Sequence, residues 1–344
     1  MSLGRRLASL KLTLAGMLLL ALGVGLRYGD PDRVSVWVLV LPMGLLALNL
    51  LAAVTTNPRI YRRGGLLAFH LALLGLVVLA AIGRLTLFEG HVELVEGQAF
   101  SAAEVFDVRA GPLHDGGLER VRFVQGPWTV QYSAGMVRGP TRSTVLVPDG
   151  RGGWERRVVG DDVPLVLRGY RFYTSYNKGF APILTWIPDG PEGRPGAAYT
   201  GAVHMPAYPL YDFRQTNTWR PPGGPELKLW LHVQAGLRGD ADWVLDGHRA
   251  TGRLAVRVAG EGGERRVELR PGEAVHLPGG TLRFERLGTW MGYKIFYDPT
   301  LPWLFVTGIL GVLGLAAHYW RRFGAGWTTA REGAPQGSGA RASA

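Results

Sequence analysis

The distribution of apolar residues constrains this chain more than any other feature of its sequence. Four runs are long and apolar enough to cross a membrane, at about residues 7–26, 34–54, 66–82 and 301–320. A run of about 20 apolar residues matches the thickness of a bilayer's hydrocarbon core. Three of the runs lie near the start of the chain and the fourth lies near its end. The sequence therefore predicts three spanning helices within residues 1–84, a large water-compatible domain over residues 85–300, and a fourth spanning helix over 301–320.

The formal net charge of +11 indicates membrane topology rather than nucleic-acid binding. Residues 85–300 contain 25 Lys/Arg and 24 Asp/Glu, so the excess lies at the termini, in short loops and at helix ends. Lys and Arg near spanning helices mark the cytoplasmic side. The flanking residues that carry the signal are Arg5, Arg6 and Lys11, then Arg59, Arg62 and Arg63, and finally Arg321, Arg322, Arg331 and Arg341. We therefore expect a multi-pass protein of the cytoplasmic membrane, with both termini inside and residues 85–300 outside.

The two ends of the chain complete this topology. The first apolar run continues into residues 27–31 without a small-x-small cleavage site. We therefore expect a retained helix rather than a cleaved signal peptide. Residues 321–344 are rich in Gly, Ala and Ser toward the end, and we expect a disordered cytoplasmic tail there.

The absence of cysteine excludes two functional classes. With no Cys in 344 residues, the chain makes no disulfides and performs no thiol–disulfide chemistry. It also lacks the Cys-x-x-Cys-His site that attaches haem in a c-type cytochrome.

Residues 85–300 carry the pattern of β-structure. Apolar and polar residues alternate over 128–132 and 226–233, and residues 163–176 and 183–187 are rich in β-branched and aromatic side chains. Turn signals containing Gly and Pro separate these segments. We therefore predict a mainly antiparallel β domain, sandwich-like or barrel-like. Residues 190–218 lack such a pattern, and we interpret them as a long loop.

His70 is the main candidate functional residue, because an ionisable side chain within a spanning helix suggests a function. A neutral imidazole is cheaper to bury than a charged group, and its nitrogen can bind iron. The alternative is a hydrogen bond between helices, for example to Asn49 or to a serine or threonine. His318 lies at the cytoplasmic end of the last run, and His91 lies just outside the third. The remaining histidines show no spacing typical of a metal site, and no motif of a hydrolase or phosphate-binding enzyme occurs.

Several segments, in order along the chain, resemble the ResB (CcsB) proteins of system II cytochrome c biogenesis. Residues 64–71 match the "G-x-x-x-F-H" start of that family's third helix, after Asn57-Pro58. Residues 88–98 resemble the segment that leaves the membrane. Residues 167–176 resemble a "G-x-x-F-Y-x-S-Y" strand, and residues 292–299 resemble the approach to the last helix. Many relatives have a longer external domain.

The resemblance implies a function and a set of partners. It implies an accessory subunit of a haem lyase (cytochrome c synthase), not catalytic alone, that helps move haem b outward and present it to apocytochrome c. It also implies a ResC/CcsA-type membrane partner and a thioredoxin-like thiol reductant. His70 would then be an axial haem ligand on the inner side, with the second ligand supplied by the partner. Two other classes stay open, namely a membrane b-type cytochrome that transfers electrons and a scaffold that displays a β domain.

Overall fold

The computed structural model describes residues 3–191, 194–260 and 263–332, and the chain divides into two compact units. The first unit contains the helices together with Arg109–Asp115. The second unit comprises Phe88–Val108 and Gly116–Tyr297. The second unit is thus inserted between the third and fourth spanning helices.

Within the described residues the first unit contains six helices: α1 (Leu3–Leu7), α2 (Leu10–Gly29), α3 (Trp37–Thr56), α4 (Pro58–Tyr61), α5 (Gly64–Thr86) and α6 (Leu301–Glu332). Helices α2, α3, α5 and residues 301–320 of α6 are long and apolar enough to cross a membrane. The four spanning helices predicted from hydropathy are therefore confirmed. The expected tail, residues 321–344, falls on α6 as far as Glu332, and residues 333–344 lie outside the described residues.

A buried asparagine joins the first three helices. Asn49 in α3 is only 5% exposed, and its amide donates hydrogen bonds to the backbone oxygens of Leu7 and Ser9. The hydroxyl of Thr13 in α2 donates to Asn49 Oδ1 over 2.7 Å. All of these bonds satisfy polar groups that lipid could not satisfy. Asn49 is therefore a packing residue that fixes how α1 and α2 meet α3.

The second unit is built from strands: β1 (Phe88–Val95), β2 (Phe106–Ala110), β3 (Val124–Ser133), β4 (Val137–Pro148), β5 (Trp154–Gly160), β6 (Leu165–Leu167), β7 (Tyr170–Pro188), β8 (Tyr199–Ala202), β9 (Thr216–Trp219), β10 (Leu227–Gln234), β11 (Trp243–Asp246), β12 (Thr251–Gly260), β13 (Gly263–Leu269), β14 (Ala274–Leu277) and β15 (Gly280–Tyr297). One sheet has the order β2-β1-β15-β7-β6, with β14 on β15 and β8 on β7. The other two have the orders β13-β12-β10-β9 and β11-β3-β4-β5. These antiparallel, sandwich-like sheets confirm the predicted fold class.

The sheets enclose a core of aromatic side chains and a buried ring of three hydrogen-bonded polar side chains, which we call the polar ring. The largest fully buried side chains include Trp128, Trp186, Phe172 and Phe180. The hydroxyl of Tyr293 in β15 donates to Gln125 Oε1 over 2.6 Å. Gln125 Nε2 donates to Ser143 Oγ over 2.9 Å, and Ser143 Oγ lies 2.6 Å from the Tyr293 oxygen. The three side chains satisfy one another, so the sheet that contains β15 is bonded to the sheet that contains β3 and β4.

The structure corrects two expectations about the second unit, which we call the β unit. The predicted strands over 163–176 and 183–187 are largely one continuous strand, β7, because residues between them also pair with β15. The predicted long loop over 190–218 contains β8 and the start of β9. Both are short strands that pair with longer neighbours, β7 and β10. Their pairing comes from those neighbours, which their own composition does not reveal.

Candidate functional site

His70 lies in α5, six residues after the helix begins at Gly64. Its Nδ1 is 2.8 Å from the carbonyl oxygen of Leu66, four residues earlier, and the contact makes Nδ1 the protonated nitrogen of the neutral ring. Phe69 meets the imidazole edge-on, with ring centroids 5.5 Å apart. Nε2 then carries the lone pair, and this is the nitrogen that could bind a metal.

Small residues on another face of α5 form a seam with α6. A methyl group built on Gly65 would lie 2.7 Å from the backbone nitrogen of His318, and one on Gly314 would lie 2.9 Å from the backbone nitrogen of Phe69. Gly75 approaches Thr307 in the same way. Such small residues let two helix backbones pack closely in a membrane. Any larger side chain at these glycines would push α5 and α6 apart.

His70 lies on the face of α5 turned away from this seam. The seam residues of α5 are Gly65, Ala68, Ala72 and Gly75. At 100° per residue, His70 is roughly 140–160° around the helix from each of them. The side chain is half-buried and its ring is not needed for the packing of α5 on α6. His70 is therefore placed to contact something other than α6.

The other candidates each contact residues other than His70. Asn49 is bonded to Thr13 and to backbone oxygens near α1, and His70 is bonded within its own helix. The backbone of His318 lies against Gly65 in the seam, and its ring meets that of Tyr319 edge-on. His91, in the β unit, lies 3.9 Å from Asp107 Oδ2 and stacks near Phe106.

Three further histidines of the β unit, His204, His248 and His276, each approach one carboxylate. His204 Nδ1 is 3.5 Å from Glu93 Oε2, and its ring stacks on Trp290. His248 lies 3.5 Å from Glu96, and His276 lies 3.8 Å from Asp189. Across the residues that the structure describes, no group of three or more His, Cys, Asp or Glu side chains could hold a metal ion.

Sequence analysis missed a cluster of charged groups around Arg138 in the β unit. Arg138 Nη2 lies 2.6 Å from Asp161 Oδ1, and its guanidinium stacks over the ring of Tyr176 at 4.3 Å. Asp161 also accepts hydrogen bonds from the Thr174 hydroxyl and from the Thr141 N–H. Burial by itself would raise the pKa of Asp161, but these hydrogen bonds and Arg138 hold it below its ordinary value. Asp161 is therefore ionised and fully occupied by its neighbours.

Lys178 of β7 lies beside this cluster and is only 2% exposed. Burial, together with the positive charge of Arg138, lowers the pKa of Lys178 to about 8, and Asp161 opposes the shift. One feature of the sequence could have identified Lys178 as unusual. Residues 85–300 contain 22 Arg and only three Lys, so a lysine in an aromatic strand stands out there.

These features define a membrane protein with four apolar helices, an inserted antiparallel β unit and a histidine within a spanning helix. The model of the ResB-like family matches residues 54–197, so this stretch of the chain, from the end of α3 through β7, is ResB-like. No curated protein matches the chain. A solved structure described as Cytochrome c Heme Lyase CcmF matches with 14% sequence identity and a TM-score of 0.28. The match covers 91% of this chain and 35% of that one, so this chain spans about a third of that protein's length.

Proposed function

We propose that this chain is a membrane subunit of cytochrome c biogenesis that binds haem b through His70. Together with a ResC/CcsA-type partner, it helps to move haem outward and to present it to apocytochrome c. The ResB-like match over residues 54–197 supports this role, because His70 and its helix lie within the matched stretch. The membrane topology that goes with it has both termini in the cytoplasm and the β unit outside, in agreement with the distribution of Lys and Arg.

The single observation that carries the proposal is the state of the His70 ring. Its Nδ1 donates to the Leu66 carbonyl, so in the neutral ring the lone pair is on Nε2, the nitrogen that could bind iron. A bound haem would be held through its iron by His70 Nε2, with a second ligand from the partner subunit. His70 lies on the face of α5 that does not pack on α6, and α3 also packs on α5. Leu66 orients the ring, and the small residues of the seam keep α5 in place.

The test is a His70→Gly variant with and without added imidazole. We expect less haem to co-purify, measured by its absorption spectrum, and less cytochrome c to mature, because the variant lacks an axial ligand. The variant leaves a small cavity, which free imidazole can enter, so imidazole should restore part of both signals. A His318→Gly variant is the matched control, since it removes a histidine from the seam instead.

The outcomes separate the classes that the sequence left open. Full haem content and normal maturation in His70→Gly would refute the ligand assignment and favour a scaffold. Stable, stoichiometric and reversibly reducible haem in the purified chain without any partner would favour a membrane b-type cytochrome. Equal losses in both variants, with no effect of imidazole, would show a general folding defect rather than a lost ligand.

A further inference from the structure

The β unit contains a cavity of about 430 Å³ that the proposed function does not use. It lies between the ends of β3 and β4, the middle of β7 and the segment around residues 207–212. Its walls are mainly aromatic and apolar: Tyr132, Tyr176, Tyr208, Met136, Leu210 and Leu237. Such a mixture of apolar walls with a few polar groups is typical of a small-molecule site.

Lys178 supplies a positive charge to this cavity. Its Nζ has one long contact with an oxygen, 3.5 Å to the Tyr176 carbonyl, and it lies 5.9 Å from the ring centre of Tyr132. No carboxylate of the described residues lies within ion-pair distance of it. Asp161, the nearest acidic group in the cluster, is bound by Arg138, Thr141 and Thr174. Burying an ammonium group with so few partners lowers the stability of the fold unless another group binds it.

Arg138, which also lines the cavity, offers a second unsatisfied donor. Its Nη2 is bound to Asp161 and Thr141, whereas its buried Nε has no hydrogen-bond partner in the part of the chain that the structure describes. Two cationic side chains at one cavity therefore have unused donors. The carboxylate of Asp161 neutralises only one of the two positive charges.

The backbone explains how a lysine comes to lie there. Lys178 pairs with Met291 of β15, and Thr174 pairs with Tyr293, so three residues of β7 oppose a single residue of β15. Within this bulge the N–H of Asn177 donates to the Ser175 hydroxyl. A bulge of this kind changes the direction of the side chains that follow it, and such bulges are frequent near binding sites.

We infer that this cavity binds a small organic monoanion, a carboxylate attached to an aromatic or apolar body. The carboxylate pairs with the ammonium of Lys178, and the body packs against the rings of Tyr132, Tyr176 and Tyr208. Asp212 is exposed and also lines the cavity, so a second negative charge on the ligand would be repelled there. We therefore expect the cavity to prefer a ligand with a single negative charge. This inference is independent of His70 and of haem binding.

The test measures binding of 2-naphthoate and its neutral analogue 2-naphthamide to the full chain in lipid nanodiscs by isothermal titration calorimetry. At pH 7 we expect naphthoate to bind at least tenfold more tightly than naphthamide. Lys178→Met should weaken the binding of naphthoate at least tenfold and leave the binding of naphthamide unchanged. Lys228→Met is the matched control, because Lys228 is an exposed lysine that pairs with Glu264 on another sheet. Leu237→Trp fills the cavity without changing charge and should weaken both ligands.

The pH dependence gives a second readout. Around the cavity, hydrogen bonds and Arg138 hold the pKa of Asp161 below its ordinary value, and burial raises the pKa of Tyr132 and Tyr208 to about 12. Lys178, whose pKa is about 8, loses its charge between pH 7 and 9, so naphthoate affinity should fall across that range. Equal binding of the two ligands, no binding of naphthoate, or equal losses in Lys178→Met and Lys228→Met would overturn the inference. Unchanged binding in Leu237→Trp would overturn it as well.

Discussion

Lys178 should destabilise the protein at neutral pH, and replacing it with methionine should stabilise the fold. The pKa of Lys178 falls from the ordinary 10.5 to about 8 because the amine is buried. Each pKa unit corresponds to about 1.4 kcal/mol, so keeping this amine charged at pH 7 costs about 3 kcal/mol of folding free energy. Methionine keeps most of the length and the apolar stem of the side chain but has no charge to bury. We therefore expect Lys178→Met to be more stable by about 3 kcal/mol at pH 7.

The sign of the effect fixes its pH dependence. Between pH 8 and 10.5 the unfolded chain binds a proton at Lys178 that the folded chain does not bind, so the wild type gains stability as the pH rises through this window. Above pH 10.5 the amine is neutral in both the folded and the unfolded chain, so burying it no longer lowers the free energy of unfolding. The advantage of the methionine variant should therefore be largest below pH 8 and should shrink toward zero near pH 10.5.

The assay is thermal unfolding in nanodiscs, followed by tryptophan fluorescence at a series of pH values from 7 to 10.5. For a unit of 150–250 residues, 1 kcal/mol shifts the midpoint by roughly 2–4 °C, so we expect the variant to melt roughly 6–12 °C higher at pH 7. Lys228→Met is again the control, because that side chain is 60% exposed and should show no such pH dependence. A variant that is less stable at pH 7, or a gain that persists unchanged at pH 10.5, would refute the reasoning.

Two further predictions address the polar ring and the topology. Tyr293→Phe should lower the free energy of unfolding by about 1–3 kcal/mol, because Gln125 Oε1 and Ser143 lose their buried partner. Denaturant titration measures this change. An unchanged free energy of unfolding would show that the hydrogen bonds among Tyr293, Gln125 and Ser143 do not stabilise the sheets. A reporter that is active only outside the cytoplasm should be active when fused after Gly190 and silent when fused after Arg63, and the reverse pattern would contradict the orientation taken from Lys and Arg.

The features predicted from sequence are those that depend on neighbours along the chain. Hydropathy located the spanning helices, since a run such as residues 66–82 needs only its own composition to match a bilayer. Alternation located β10, where Leu227, Leu229 and Leu231 are buried and the residues between them are exposed. His70 could be chosen as a candidate because a single ionisable side chain in an apolar run is visible without a structure.

The features that sequence could not predict depend on residues far apart in the chain. The cavity around Lys178 brings together Tyr132, Arg138, Tyr208 and Leu237, and these residues share no motif or spacing. Asp161 follows the end of β5, and its bonds to Arg138 of β4 and Thr174 of β7 join residues that are far apart in the sequence. Likewise β8 is recognisable only once β7 provides the edge on which it pairs.

The first and last strands of the β unit are neighbours, and this has a consequence for how the chain can be divided. Phe88 opens β1 and Tyr297 closes β15, and the two residues are opposed across one antiparallel ladder. The strand ends that connect to the membrane helices are therefore adjacent, as in domains that tolerate insertion into another protein. A short glycine-rich linker from Leu87 to Asp298 could join α5 to α6, but it would also remove Arg109–Asp115, which belongs to the first unit. A β unit exchanged for a counterpart from another chain would therefore have to carry a segment equivalent to Arg109–Asp115.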